Sequence, residues 1–299
     1  MRSLLQSAVD LIPSHYLDKD IAVSIPWANG VLADVISIKK KDNTADEQLI
    51  LFEAGSRPPF DDQNITLDYK ILSRDEQRNE IKVLLVAAKN QTLSGVADFF
   101  HSCNLKPFSL DVDVFALLNS TSRVMNLRNT QPVVRAVLMV GEEKGHISFV
   151  KNDSYHSTRE ITSASVSYLL KLVSHAVKVP LVDLRDILFG ESQIESQEEI
   201  QLALNEAIDD LTNAVSSSIS YYQSSEPGSL VNEIVLAGGG ALLPGLDQQL
   251  ADALNLTVSF LDSFEGMKIK ASLLDDSTGI QASDRIRYAV ALGLAMRLP

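Results

Sequence analysis

Asn232-Glu233-Ile234-Val235-Leu236-Ala237-Gly238-Gly239-Gly240-Ala241-Leu242-Leu243-Pro244-Gly245-Leu246 is the stretch whose reading decides the fold. The apolar run Ile234–Ala237 is too short for a helix and reads as a buried strand between turn signals. Three glycines follow at once, the one residue type that lets backbone bend tightly and approach a ligand with no side chain between. Beyond them Leu246, Leu250 and Leu254 recur every fourth residue among polar neighbours, the period of an amphipathic helix. The order is therefore strand, glycine turn, helix. Such a turn presents amides at a helix start and suits a phosphate or a nucleotide edge. A tight turn in any α/β sheet fits the same residues. Both readings stand on these residues alone.

The chain around this stretch has 299 residues, enough for two domains with a self-sufficient core. It carries 26 Lys+Arg against 39 Asp+Glu, a net charge of −13, which argues against nucleic acid because phosphate binding needs clustered basic charge. A single cysteine, Cys103, excludes an internal disulfide framework and points to a reducing compartment. No apolar run approaches the roughly 18 residues of a membrane span, and no long apolar block opens the chain. The expectation is a soluble, cytosolic protein without direct membrane insertion.

Taken in order, Leu4, Leu5, Ala8, Val9 and Ile12 form a helical stripe that Pro13 ends. Ile21–Ile25, closed by Pro26, and Val31–Ile38, running into Lys39-Lys40-Lys41, read as strands. Asp46–Ala54 is a short helix stopped by Gly55. Ile65–Leu72 and Ile81–Ala88 are two more strands, and Gln91–Cys103 is a helix with Leu93, Val96, Ala97 and Phe100 on one face. Residues 21–104 thus make a small α+β block of four strands and two helices. Leu105–Leu110 is a strand, and a helix begins at Val112–Leu118. The polar Asn119–Gln131 reads as the domain boundary, ending at Pro132. Strands then follow at Val133–Met139, His146–Val150 and Tyr155–Ile161, helices at Val166–Val177 and Leu181–Phe189, with Gly190 as stop signal, and an acidic loop at Glu191–Glu199. Leu204, Ile208, Leu211, Val215, Ile219 and Tyr222 mark the longest amphipathic helix. Thr257–Leu261 is a strand ending at Asp262, and Ile286–Met296 closes the chain as a helix of small apolar residues.

The common enzymatic templates are absent: no G-x-x-x-x-G-K-[ST], no H-E-x-x-H, no G-x-S-x-G. His15, His101, His146, His156 and His175 do not pair at metal-ligand spacing, so no metal site and no catalytic residue is assigned. A dinucleotide site is an alternative. Gly238 and Gly240 follow a strand, and Asp262 ends the next one roughly 20 residues on, where a ribose-binding acid sits. The third glycine of that fingerprint is replaced by Leu243.

Several segments together resemble one family. They are Ile21–Pro26, Asn64–Leu72, Val83–Ala88, Leu110–Leu117, Ser220-Tyr221-Tyr222-Gln223, Ile234–Leu246 and Tyr288–Ala295. In this order they resemble the PilM family, cytoplasmic actin-like (FtsA-like) components of type IV pilus assembly; MSHA-type pilus relatives and the cytoplasmic domain of type II secretion GspL share the architecture. The resemblance implies an α/β, actin-like (ribonuclease H-like) two-domain fold with a small inserted α+β subdomain. In that frame 1–20 and 105–131 are a remnant of the first actin-like subdomain, and 21–104 is the insertion. Residues 132–299 are the second domain, with a helical part at about 181–228. It further implies an adenosine pocket beside Gly238, Gly239 and Gly240. Its implied partner is the N-terminal cytoplasmic peptide of a PilN-like bitopic inner-membrane protein, alongside other pilus assembly components. The expected docking surface is the sheet holding Val23, Val83, Leu85 and Ala87 with the helix that carries Val96.

Three departures from the family pattern bear on chemistry. The opening strand-turn-strand of D-I-G-S form is missing ahead of Ile21. The family's D-I-G-A-S-T phosphate loop corresponds to Met139-Val140-Gly141-Glu142-Glu143-Lys144, so Met139 replaces the metal-orienting carboxylate and Glu143 the small hydroxyl. Two desolvated carboxylates facing a triphosphate would repel it by on the order of several kcal/mol. Ser216-Ser217 stands where relatives carry basic residues. The expectation is a non-catalytic scaffold peripheral to the inner membrane, with no cofactor; the alternative is an ATPase holding ATP or ADP with Mg²⁺.

Overall fold

The computed structural model describes residues 21–41, 43–128, 133–189, 197–269 and 282–297. The helix expected before Pro13, the stop at Gly190, the 191–196 part of the acidic loop and the boundary at Gln131-Pro132 lie outside these residues. The chain divides into two compact units, Met1–Ala116 with Gly293–Pro299, and Leu117–Leu292.

In the first unit β1 (Ile21–Ile25), β2 (Val31–Lys39), β3 (Ile65–Asp75) and β4 (Glu80–Lys89) all form, as do α1 (Asp46–Gly55) and α2 (Asn90–His101). They do not make one sheet. β2, β4 and β3 pair antiparallel in that order, while β1 pairs parallel with β5 (Pro107–Val112). The reason is local and non-local at once. Pro26 has no N–H to continue a ladder, and Gly30, at φ 80°, turns the chain away. Parallel pairing needs a long crossover, here the whole block between β1 and β5, and so leaves no short-range pattern. Trp27 N donates to Asp113 Oδ1 at 2.8 Å, tying the end of β1 to the helix that follows β5. Burial raises the Asp113 carboxyl above the usual range, partly opposed by the N–H groups of Trp27 and Val114. The core of the antiparallel sheet packs Ile36, Ile38, Ile81, Val83, Leu85 and Ala87 against Leu49, Ile50 and Ala54 of α1.

The helix that begins at Val112–Leu118 runs on into the polar segment expected as the domain boundary: α3 spans Asp113–Leu127. Its polar residues are used. Thr121 Oγ1 donates to Leu117 O at 2.9 Å, and buried Ser120 donates to Ala289 O at 2.6 Å. Arg123 donates to Glu265 O at 2.9 Å and to Ser263 O.

The second unit is built on a five-stranded sheet of order β10-β9-β6-β7-β8. β6 (Val134–Met139), β7 (Gly145–Lys151) and β8 (Ser154–Ile161) form an antiparallel meander. β9 (Val231–Ala237) and β10 (Thr257–Phe260) add in parallel on the other side. Leu138, Ile147 and Phe149 bury one face under α4 (Val166–Val177) and α6 (Gln197–Ser225). α6 contributes Leu204, Ile208, Leu211, Val215, Ile219 and Tyr222, the three-and-four spacing of an amphipathic stripe. Tyr222 stacks on Phe149 at 4.3 Å between ring centres. α5 (Leu181–Phe189) follows α4, and α7 (Leu246–Leu254) packs Leu246 and Leu250 into the same core. The expected closing helix is shorter: a 3-10 stretch, Ala282–Tyr288, precedes α8 (Ala289–Ala295). Among the described residues no helix is long and apolar enough to cross a membrane.

Candidate functional site

The strand, glycine turn and helix form in the expected order, but the turn is not at a helix start. β9 ends at Ala237, a 3-10 turn covers Gly239–Leu242, and α7 begins only at Leu246. Three amides of the turn are engaged inside the protein. Gly238 N donates to Ile286 O at 3.3 Å, Gly240 N to Val140 O at 3.0 Å, and Ala241 N to Gly238 O at 3.2 Å. Two of the three glycines are fixed by packing. Gly238 sits at φ 87°, and a Cβ there would lie 2.5 Å from Val140 O. A Cβ on Gly240 would strike Val140 Cγ1 and lie 2.8 Å from Val166 Cγ2. Gly239 alone is open, its nearest neighbour the Arg287 side chain at 3.9 Å.

Val140 is the hub because it begins the second loop of the site. Val140 N donates to Ala237 O at 2.9 Å, which stitches the end of β6 to the glycine turn. The loop Gly141–Lys144 then folds over the start of α4. Val166 N donates to Gly141 O and Ser167 N to Glu142 O, both at 2.9 Å. Ser165 caps the helix, accepting from Tyr168 N at 3.2 Å and donating to Glu142 O at 3.0 Å. A helix N-terminus is where orphan amides and the macrodipole favour an anion. Here the loop's own carbonyls fill that place.

The acidic side chains of the loop are also held. Arg185 of α5 forms a two-pronged pair with Glu142, one prong at 3.1 Å, and keeps its carboxyl below the usual carboxylate range. Ser167 Oγ lies 3.1 Å from Glu142 Oε1 and 2.9 Å from Glu143 Oε1. Lys144 turns away to Glu160 at 3.4 Å. Among the described residues no group of three or more His, Cys, Asp or Glu is placed to hold a metal ion. The amides at the start of α4 are taken by Gly141 O, Glu142 O and Ser165 Oγ, and the carboxylates of Glu142 and Glu143 stand at the same helix end. On α6, Ser217 Oγ donates back to Asn213 O at 2.8 Å.

Asp262, the ribose acid of the dinucleotide alternative, accepts from Phe264 N at 2.9 Å and pairs with Arg285 at 3.3 Å. It caps a turn.

The expected docking residues are not brought together. Val83, Leu85 and Ala87 point under α1 and are buried, and Val23 is buried in the separate β1–β5 sheet. Val96 stays half-exposed, as do Leu93, Ala97 and Phe100 on the same face of α2, which has no fully buried residue. The partner Arg185 was not legible in the sequence. It lies far along the chain from Glu142, in a helix with no motif of its own.

The family model for the type IV pilus assembly protein PilM matches residues 4–165 and 192–298. The chain is similar in structure to a PilM-PilN type IV pilus biogenesis complex, with TM-score 0.79 and 22% identity over 99% of this chain and 84% of that one. It is also similar to MreB 5 of Spiroplasma citri bound to AMPPNP, with TM-score 0.51 and 8% identity over 99% of this chain and 74% of that one. No curated protein gives a significant match. These likenesses give the fold, α/β and actin-like. The chain belongs to the PilM family of type IV pilus assembly proteins.

Proposed function

We propose that this protein works in pilus assembly as a non-catalytic actin-like scaffold, cytoplasmic and held at the inner membrane by its partners. It binds the N-terminal tail of a PilN-like bitopic protein. The observation that carries the non-catalytic part is the loop Gly141–Lys144, whose carbonyls fill the N-terminus of α4 and whose Glu142 is locked by Arg185. Tail docking is supported by the half-exposed apolar face Leu93-Val96-Ala97-Phe100 of α2, in the 21–104 block that we assign as the inserted subdomain. A PilM-PilN complex is among the similar structures.

The second reading, an ATP-binding relative of the same machinery, draws on Gly239, which is open and flanked by Arg287. Calorimetry with ATP and Mg²⁺ separates the two. The scaffold predicts no saturable heat up to millimolar nucleotide, and micromolar binding would favour the second reading.

A further inference from the structure

We propose that the groove between the outer edge of β8 and α6 is a second docking site, which takes an extended basic peptide of another protein as an added strand. It lies wholly in the second unit and is independent of the tail docking proposed for α2.

β8 ends the five-stranded sheet, and among the described residues no strand pairs with its outer edge. Two cavities lie along it. One, of roughly 460 Å³, is lined by Phe149, His156, Arg159, Tyr221, Tyr222 and Glu226, among others. The other, of roughly 430 Å³, is lined by Glu160, Ser163, Tyr168, Asp210, Ser217 and Ser218, among others. Arg159 borders both, its guanidinium 4.5 Å over the ring of Tyr221. Consecutive residues of β8, 156–159 and then 159–161, line these cavities, the second also taking in Thr162 and Ser163 of the turn that follows. A sheet face would present every second residue, whereas a strand edge presents each one. The opposite wall is one stripe of α6, running through Asp210, Ala214, Ser218, Tyr221 and Ser225. Asp210–Ser225 rises about 22 Å along the helix, and the eight residues of β8 cover a similar length. A peptide of about seven extended residues fills that distance.

Charge decides the occupant. Between Gln197 and Ser225, α6 carries Glu198, Glu199, Glu206, Asp209 and Asp210 and no lysine or arginine. Asp210 stands at one end of the groove and Glu226 at the other. Ser217 and Ser218 donate their hydroxyl hydrogens to Asn213 O and Ala214 O, each at 2.8 Å. Their oxygens therefore meet a ligand as acceptors, which suits an ammonium or guanidinium. The first cavity has the exposed ring of Tyr221 on its wall, over the buried Phe149–Tyr222 stack, and suits an aromatic side chain. Side chains four positions apart on an extended peptide are about 13 Å apart, close to the roughly 12 Å along α6 from Tyr222 to Ala214.

The test uses fluorescence anisotropy on the full chain. The probe is a labelled octapeptide of alternating valine and threonine, with phenylalanine at one position and lysine four positions on. One twin carries glutamate for the lysine, and another has alternate backbone amides N-methylated so that it cannot pair as a strand. The expected result is that the lysine peptide binds at least tenfold tighter than either twin. With the exposed Asp210→Lys, checked for an unchanged melting curve, the lysine and glutamate peptides exchange order. No saturable binding, equal affinity for the twins, or an order unmoved by Asp210→Lys overturns the proposal.

Discussion

At Gly238, Gly239 and Gly240 the three glycines look alike in sequence and are unlike in structure. Gly238→Ala places a Cβ against the Val140 carbonyl in a left-handed conformation, and should cost about 2–4 kcal/mol. Gly239→Ala meets open space and should stay within about 1 kcal/mol of the parent. Urea unfolding of the pair checks this; equal destabilisation would mean the turn is not fixed through Val140. His146 makes a second residue-level prediction. It is buried in β7, its Nε2 has no hydrogen-bond partner, and burial lowers its pKa to about 4. Because the neutral ring is the folded form, stability is full above the unfolded value near 6.5 and falls as pH drops toward 4. The unfolded chain binds the proton first, and the loss at pH 5 is about 2 kcal/mol. The difference in urea stability between pH 7.5 and pH 5 should shrink by about that amount in His146→Leu. An unchanged difference would show that other groups carry the acid sensitivity.

Elements were legible where their pattern is local. The strand before Gly238, α4, and the long stripe Leu204–Tyr222 all form where periodicity places them, because each buries one face in a single core. The misreadings share another cause. Asn119–Leu127 looked like a linker because Asn, Ser and Thr favour turns, yet Ser120, Thr121 and Arg123 find acceptors on their own helix, on α8 and on the loop at Ser263–Glu265. β1 looked like a member of the neighbouring sheet because nothing nearby shows a partner as distant as β5. In the candidate site the glycines were visible and their partners were not: Val140, Val166 and Arg287 reach them only through the fold, as Arg185 reaches Glu142. The small residues of α8 were read as suited to close packing, and Gly293 bears this out, since a Cβ there would fall on the Ala116 carbonyl of α3. Gly293→Val should therefore cost more than about 4 kcal/mol or prevent folding, read by thermal melting and by soluble yield. Valine at the exposed Ala291 or the half-buried Leu294 would not test this contact.

For the whole molecule, membership of the PilM family goes together with a loop whose carbonyls fill the start of α4. A net charge of −13 and an α6 without lysine or arginine suit a protein that meets basic segments of others. The groups around Glu142 hold one another, Arg185 on its carboxylate and Ser167 between it and Glu143. A scaffold of this kind should bind its partner with the same affinity whatever the nucleotide. The most direct measurement is the affinity of the full chain for the N-terminal tail peptide of its PilN-like partner, taken by anisotropy with and without millimolar ATP and Mg²⁺. The expected result is saturable binding whose dissociation constant is the same in both conditions. No binding of the tail, or a shift of tenfold or more on adding nucleotide, would contradict it.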